Sequence, residues 1–535
     1  MGAGGRSCCS TLSACLRSCF MRRIDVQALC ILTALLLAAC GGGKSSSDAV
    51  VANPPRGQLL QSPPELVTIV SAPALLLALN ALANQQLLAV SGTPLCDVAV
   101  HRIRYATVGG ANEPTTASGA LMVPVGNDPM CRGPRPILLY AHGTTTDRAF
   151  DMTRLQGDPN GEALIMTALF ASQGYIVVAP NYAGYDSSAL SYHPYLVADQ
   201  QSKDMIDALT AARSALPTAA APSTADSGRL FITGYSQGGY VAMATHRAMQ
   251  VAGMTVTASA PMSGPYAMAA FVDAAFAGRV SSGATVSFTL LMTAYQKTYG
   301  NIYSGTADVF EPQYAGGIES LLPSTTPRSQ LYAQGKLPRD AMFSSTPPDP
   351  AFTDVTPATT PANLAPIFAL GFGTENLVNN SFRLGYLLDA QANPDGGWPA
   401  TTTGIAAATP AVHLRQALKQ NDLRNWTPTS PMLLCGGNAD PTVFWFNTQL
   451  MQGYWAARAP SPSPVIVLDL DSTASGNDPY ADLKNQFSLA KQIAAATAVA
   501  QGATDGGASA VADAYHAGLV PPFCLEAVQA FFATR

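Results

Sequence analysis

The chain has 535 residues, of which 48% are hydrophobic and 12% are charged, and its formal net charge is -5. This length can bury a large core, and it fits one catalytic domain with large insertions or two domains in close contact. The sequence contains no concentrated basic stretch, so it does not support a nucleic-acid partner.

The N-terminal 40 residues have the features of an export signal. Met21-Arg22-Arg23 starts a basic region, and an apolar run follows from Ala28 to Leu37. We predict a signal peptide over residues 1–40, with Met21 as an alternative translation start. The apolar run is shorter than the roughly 20 residues of a membrane span, and an uncleaved anchor is the competing interpretation.

The end of this signal, Leu37-Ala38-Ala39-Cys40, resembles the lipobox of bacterial lipoproteins. In such proteins the cysteine thiol is lipidated and then becomes the N-terminus, so Cys40 is the predicted lipidation site and a membrane is a predicted partner. The absence of Asp after Cys40 favours the outer membrane or the cell surface, with secretion as the alternative. Residues 41–64 are rich in Gly, Ser and Pro and predict a flexible tether.

The pattern of apolar residues beyond the tether predicts an α/β fold. Residues 65–90 are strongly apolar and predict a helix packed on the domain or an interfacial segment. Val98–Thr107 and Ala117–Val123 alternate and predict antiparallel edge strands. Continuous apolar strands then alternate with helices, which predicts a mostly parallel central sheet covered by helices. The predicted buried strands are Ile137–Ala141, Tyr175–Ala179, Arg229–Thr233, Met254–Ala260, Pro431–Cys435 and Pro464–Asp471.

This alternation stops at Pro265 and resumes at Pro431. The intervening block is rich in Thr, Pro, Ala and Gly and contains apolar helical pieces, so it cannot be one structureless loop. We predict that residues 265–430 form a cap, or lid, inserted into a catalytic domain made of residues 65–264 and 431–535.

A glycine-rich stretch, Gly234-Tyr235-Ser236-Gln237-Gly238, joins a predicted strand to the helical run Tyr240–Met249. In this context G-x-S-x-G forms a sharp turn that exposes the serine hydroxyl. Ser236 is therefore the candidate nucleophile. The alternative is a glycine-rich turn without chemistry, because the pentapeptide alone is weak evidence.

A nucleophilic serine needs a base, and the base must be oriented by a carboxylate. Among the six histidines, His516 alone follows the last predicted strand, in a segment predicted to be a loop, so it is the candidate base. Asp440 lies in a glycine-rich turn at a strand end and is the candidate acid. Asp469, Asp471 and, more weakly, Asp478 remain alternatives. The chain order of serine, aspartate and histidine is that of α/β-hydrolases.

The oxyanion of an acyl-transfer reaction also needs N–H donors. The predicted donors are the backbone N–H groups of Gln237 and Thr144, with Gly143 or Thr145 as alternatives to Thr144. We expect His142 to shape this loop rather than act as a base. The sequence has no H-E-x-x-H pattern and no zinc-like cluster of Cys and His, so we expect no metal and no cofactor.

Together these motifs resemble the secretory lipase and esterase family of α/β-hydrolases. The similarity also includes His193-Pro194-Tyr195-Leu196 and the helix with Asp207–Arg213, and it covers about 121–265 and 431–531. It implies carboxylic-ester hydrolysis through an acyl-serine intermediate. The many small and apolar residues of the cap fit two interpretations equally well: an apolar ester as the substrate, or ordinary packing within the cap. Ser472–Asp513 is longer than the corresponding segment usually is in the family.

Two other functions remain open: a serine peptidase of the same fold, and a non-catalytic surface lipoprotein that binds through its cap. An exported chain would also keep four cysteines besides Cys40, which predicts two disulfides and permits three pairings. Lipases of this kind can tie the acid loop to the segment after the histidine. The resemblance therefore implies a bond between Cys435 and Cys524, and we expect Cys96 and Cys131 to form the second disulfide.

Overall fold

The computed structural model describes residues 53–81, 92–157, 161–219, 224–396, 404–458 and 464–535. The predicted signal peptide, the lipidation site Cys40 and residues 41–52 of the predicted tether lie outside this part of the chain. Within it, no helix combines the length and the apolar character that a membrane span requires.

The main sheet contains nine of the described strands, in the order β1-β2-β3-β5-β4-β6-β7-β10-β11. The six strands from β5 to β11 in this order run parallel, whereas β1, β2 and β3 are antiparallel to their neighbours. A separate parallel pair, β8 and β9, lies in the insertion. The strands are β1 (Glu65–Val70), β2 (Asp97–Val108), β3 (Pro114–Val125), β4 (Gly133–Ala141), β5 (Ile176–Pro180), β6 (Thr224–Tyr235), β7 (Ala258–Met262), β8 (Phe343–Ser344), β9 (Phe372–Gly373), β10 (Met432–Gly436) and β11 (Val465–Asp469).

Helices cover both faces of this sheet. The helices are α1 (Ala72–Ala81), α2 (Glu162–Leu169), α3 (Ala198–Ala219), α4 (Gln237–Val251), α5 (Met268–Phe276), α6 (Ala284–Tyr299), α7 (Pro312–Ala315), α8 (Arg328–Ala333), α9 (Ala365–Leu370), α10 (Asn380–Ala392), α11 (His413–Asn421), α12 (Phe446–Ala456), α13 (Ala481–Ala500), α14 (Ala508–Ala514) and α15 (Val520–Ala533).

The continuous apolar strands have a simple cause, because successive side chains point to opposite faces and each face has its own core. On β4, Ile137 and Leu139 pack with α3 and α4, whereas Leu138 packs on the other face with α2 and α15. The expected mostly parallel sheet with helices on both faces is confirmed.

The N-terminal part of the described chain differs from the sequence-based expectation. Residues 65–70 form the edge strand β1 rather than a helix, because they pair with β2. Residues 53–64 are not a free tether: the N–H of Gly57 donates to the carbonyl oxygen of Ala106 at 2.8 Å. Arg56 forms an ion pair with Asp207 of α3 at 3.0 Å. The folded unit therefore starts before residue 65.

Two disulfides join the four described cysteines in the expected pairs. Cys96 is bonded to Cys131, which links the chain before β2 to the turn before β4. Cys435 is bonded to Cys524, which links β10 to α15. Both predicted pairings are confirmed, and the second ties together the two segments that carry Asp440 and His516.

The insertion between β7 and β10 contains α5 to α11 and is held by buried ion pairs. Arg415 of α11 contacts Asp273 of α5 at 2.7 Å and Asp389 of α10 at 3.0 Å. Arg424 contacts Asp395 at 2.5 Å. The contacts of Arg415 join three helices that are far apart in the sequence.

Candidate active site

The turn between β6 and α4 holds Ser236 in a strained conformation. Its φ is 60° and its ψ is -121°, a region that residues other than glycine rarely adopt. Position 238, two residues after the serine, must be glycine, because a Cβ there would lie 1.9 Å from the carbonyl oxygen of Ala141. The strain and the close packing together fix the serine at the carboxyl end of the parallel strands.

Ser236, His516 and Asp440 form one hydrogen-bonded line. The Oγ of Ser236 lies 2.9 Å from Nε2 of His516, and Nδ1 of that ring lies 2.7 Å from Oδ2 of Asp440. The other carboxylate oxygen accepts the N–H groups of Thr442 and Val443, each at 2.9 Å. With the ring proton held on Nδ1, Nε2 can accept the proton of the serine hydroxyl.

His516 lies in a helical segment rather than in the loop that the sequence predicts. It belongs to a π-helical turn, Tyr515–Leu519, between α14 and α15. The long segment before it folds into α13, where Phe487 packs against Tyr515 and Phe523. The extra length therefore forms a packed helix that positions the histidine turn.

The alternative acids are engaged elsewhere. Asp469 accepts the side-chain amide of Asn438 at 2.9 Å. Asp471 accepts hydrogen bonds from Tyr515 and Lys491. Asp478 pairs with a lysine of α13. The structure thus brings Asp440 to the histidine and holds the other three carboxylates by different partners.

The side chain of Gln237 is fixed beneath the candidate oxyanion site. Gln237 is the first residue of α4, so its backbone N–H has no acceptor within the helix. Its side-chain Nε2 donates to Nε2 of His193 at 2.7 Å, and Nδ1 of His193 lies 2.9 Å from the carbonyl oxygen of Ala183. Burial lowers the pKa of His193 to about 3, which keeps the ring neutral and able to accept this bond.

The loop after β4 carries the second group of candidate donors. The N–H of Gly143 donates to the carboxylate of Glu162 at 3.1 Å and 3.3 Å, so this N–H is already engaged. Thr144 and Thr145 both line the pocket, and the hydroxyl of Thr144 lies 2.9 Å from that of Tyr195. Thr144 therefore stays the predicted donor, with Thr145 as its alternative.

A cavity of about 1000 Å³ opens onto Ser236 and His516. It is lined by residues of the insertion and by residues of the sheet-containing segments 53–264 and 431–535, which we call the catalytic half. The insertion contributes apolar residues such as Phe271 and Phe288, several serines and threonines, and the two arginines Arg328 and Arg339. In the described part of the chain, no group of three His, Cys, Asp or Glu side chains is arranged to hold a metal ion.

Sequence reasoning did not assign three of these neighbouring residues. His193 and Tyr195 lie in a stretch noted for its family resemblance, and that stretch was the signal for a role near the site. Glu162 carries no such signal, because an acidic residue in the first turn of a helix is common. Its contact with Gly143 becomes visible only when the loop after β4 and the start of α2 meet in three dimensions.

Comparisons with known proteins identify the fold. Residues 165–283 match the model of the prolyl oligopeptidase family. A search of curated proteins returns no match. A mutant of the rice cell wall degrading esterase LipA from Xanthomonas oryzae is 27% identical, with a TM-score of 0.63, over 90% of this chain and 99% of that chain. The ligand-bound form of that esterase is 26% identical, with a TM-score of 0.62, over 90% of this chain and 100% of that chain.

A structure from Legionella pneumophila is 19% identical, covers 77% of this chain and 91% of its own, and has a TM-score of 0.56, which supports the fold alone. Esterases and peptidases share the architecture that these comparisons identify. The protein therefore has the α/β-hydrolase fold and resembles hydrolases across most of its length.

Proposed function

We propose that the protein is a serine hydrolase that cleaves carboxylic esters through an acyl-serine intermediate. The observation that carries this proposal is the hydrogen-bonded line from Ser236 through His516 to Asp440. Ser236 attacks the ester carbonyl carbon while His516 takes the hydroxyl proton, and the same ring then protonates the leaving alcohol. A water molecule, activated by His516, hydrolyses the acyl-serine and releases the acid.

The tetrahedral intermediate of each half-reaction carries a negative oxygen. The N–H groups of Gln237 and Thr144 are the proposed donors to it. Removing one donor of this kind typically costs about 2.7 to 4 kcal/mol in the transition state. Asp440 keeps the histidine in the required tautomer and stabilises the imidazolium that forms.

An ester is favoured over a peptide by the extent of the similarity. The likeness to the esterase covers 90% of this chain, whereas the match to the prolyl oligopeptidase family covers residues 165–283. That match still makes peptide cleavage the second candidate, because it contains the Ser236 turn.

We also propose that the cap shapes an apolar part of the substrate site. Phe271, Phe288 and Leu291 come from the insertion, and Met166 and Met262 come from the catalytic half. Contact with these side chains favours an apolar acyl or alcohol group. The insertion would then determine substrate choice while the sheet supplies the chemistry.

The predicted location is an exported protein anchored through lipid on Cys40. Two disulfides between buried cysteines are typical of an oxidising compartment. A Cys40→Ser variant should move from the membrane fraction to the soluble fraction. Unchanged membrane retention would contradict lipidation at this residue.

The experiment for the enzymatic proposal compares the wild type with Ser236→Ala on p-nitrophenyl esters of increasing chain length and on peptide p-nitroanilides. We expect the wild type to hydrolyse esters, and the variant to lose this activity while it keeps its fold. Efficient release of p-nitroaniline with negligible ester turnover would favour the peptidase. Absence of both activities in the wild type would favour a binding protein.

A further inference from the structure

Glu162 is a carboxylate on the wall of the active-site pocket, and nothing in the proposed chemistry has used it. It is the first residue of α2. One of its oxygens, Oε2, lies 2.6 Å from the hydroxyl of Tyr140 and 3.1 Å from the backbone nitrogen of Gly143. Both partners belong to the end of β4 and the loop that follows it.

Gly143 is held from both sides. Its N–H donates to Glu162, and its carbonyl oxygen lies 2.7 Å from Nδ1 of His142. Burial lowers the pKa of His142 to about 4, so the ring is neutral and carries one proton. The second ring nitrogen lies farther from its own carbonyl partner, at 3.2 Å, which favours the proton on Nδ1.

These two bonds hold the peptide groups on both sides of Gly143, and the second of these groups contains the N–H of Thr144. Glycine is the residue whose backbone turns most freely, so without partners the Gly143 peptide groups could adopt several orientations. A trans peptide group is planar, and its C=O and N–H point in opposite directions. Fixing the carbonyl of Gly143 toward His142 therefore turns the N–H of Thr144 to the other side, and Thr144 lines the pocket.

The negative charge of Glu162 cannot be what stabilises the transition state. A negative group beside a site where a second negative charge develops raises the energy of the transition state. A benefit from Glu162 must come from the hydrogen bonds that it accepts.

We propose that Glu162 is a positioning residue of the oxyanion hole, which holds Gly143 and thereby directs the N–H of Thr144 at the substrate oxygen. This inference rests on the proposed function. It assigns to Glu162 an effect on turnover, rather than on substrate binding, that is exerted through Gly143.

The test compares Glu162→Ala, which removes the acceptor, with Glu162→Gln, which keeps an oxygen in place of Oε2 and removes the charge. For one p-nitrophenyl ester, we expect Glu162→Ala to lower kcat about 10- to 100-fold while KM changes much less. Affinity for a trifluoromethyl ketone, whose serine adduct carries a tetrahedral oxyanion, should fall by a similar factor. Glu162→Gln should recover most of the loss.

Glu375→Ala is the matched control, because Glu375 is exposed, lies outside the pocket and loses the same charge. We expect it to behave as the wild type. Wild-type kcat in a folded Glu162→Ala protein would overturn the proposal. An equal loss in Glu162→Gln would also overturn it, because the charge and not the acceptor would then matter.

If Glu162→Ala does not fold, Tyr140→Phe decides. It removes a donor to the same oxygen without opening a cavity, and we expect a smaller fall in kcat with KM retained. Wild-type kcat in Tyr140→Phe would then contradict the proposal. Ser236→Ala separates failure of the proposed function from failure of the positioning role. Ester turnover that survives this substitution refutes the proposed function. Loss of turnover in Ser236→Ala, together with wild-type turnover in the Glu162 variants, refutes the positioning role alone.

Discussion

The catalytic half and the insertion are stabilised by different interactions. In the catalytic half, β5 and β7 and the carboxyl-terminal parts of β4 and β6 are buried, and two disulfides fix the surrounding segments. In the insertion, the side chains of Arg415 and Arg424 are at most 3% exposed, and each contacts two aspartates. Burial of apolar surface is non-directional and shared among many contacts, whereas a buried ion pair is costly as soon as one partner is lost.

The two regions also contribute different parts of the pocket. The candidate catalytic residues come from the ends of strands and from the turn before the disulfide-linked C-terminal helix, where the apolar frame holds them. The insertion supplies much of the remaining wall. Substitutions in the two regions should therefore separate loss of turnover from loss of stability.

The largest expected effect is on turnover and lies in the catalytic half. His516→Ala or Asp440→Asn should lower kcat by about 10⁴-fold, because the serine then lacks a correctly oriented base. Steady-state ester hydrolysis measures this effect, and circular dichroism checks that folding persists. Asp471→Asn is the matched control and should keep most of the activity. Loss of turnover in Asp471→Asn with activity retained in Asp440→Asn would show that the acid is Asp471 and not Asp440.

The next effect is on stability and lies in the insertion. Arg415→Ala should lower the free energy of unfolding by about 3 to 5 kcal/mol, because it leaves Asp273 and Asp389 buried without their cation. Urea unfolding followed by tryptophan fluorescence measures the change. Arg458→Ala is the control, since Arg458 is exposed and stacks on a tyrosine ring. A loss no larger than that of the control would show that these pairs do not hold the insertion.

The two disulfides should differ in what they protect. Replacing Cys435 and Cys524 together by serine should lower the free energy of unfolding by about 2 to 4 kcal/mol and also lower kcat, because this bond joins the segments of Asp440 and His516. Replacing Cys96 and Cys131 together should cost stability and leave kcat nearly unchanged. Equal kcat values for the two double variants would remove the link between the second disulfide and catalysis.

The smallest effect concerns His246, which is buried on α4 with Nδ1 lying 2.8 Å from the hydroxyl of Ser259. Burial lowers its pKa to about 4, so between pH 4 and about 6.5 the unfolded chain binds a proton that the folded one does not. Its contribution to the free energy of unfolding is complete above pH 6.5 and falls by about 1.4 kcal/mol per pH unit below it.

The difference in free energy of unfolding between the wild type and His246→Gln isolates this group from other titrating residues. Asp204, for example, acts in the opposite direction, because burial raises its pKa to about 7. As the pH falls from 7.5 to 5.0, the free energy of unfolding of the wild type should decrease by about 2 kcal/mol relative to that of His246→Gln. A difference that does not change with pH would mean that His246 titrates normally in the folded protein.

The sequence predicts those parts of the fold that depend on local pattern. The apolar run Ile137–Ala141 has the length and the flanking turn residues of a buried strand. The glycines around Ser236 are required by atoms a few residues away or on the adjacent strand. The ends of β6 and β10 follow from the same runs. Because parallel strands end at one edge of a sheet, Ser236 and Asp440 could be placed together before any coordinates were known.

The remaining features depend on contacts between distant segments. Residues 65–70 belong to the apolar stretch for which the sequence predicts a helix, and they form β1 because they pair with β2. His516 was expected in a loop, and the packing of Phe487 on α13 against its turn is invisible in the sequence. Glu162 meets Gly143 only after α2 folds back onto β4. Tertiary contact overrides local pattern at each of these positions.

The identity of the nucleophile can be measured directly. Folded wild-type protein is incubated with a fluorophosphonate and digested, and the modified peptide is sequenced by mass spectrometry. We expect one adduct per chain, on Ser236, and no adduct in the His516→Ala variant under the same conditions. An unmodified wild-type protein, or an adduct on a different serine, would contradict the assignment of Ser236 as the nucleophile.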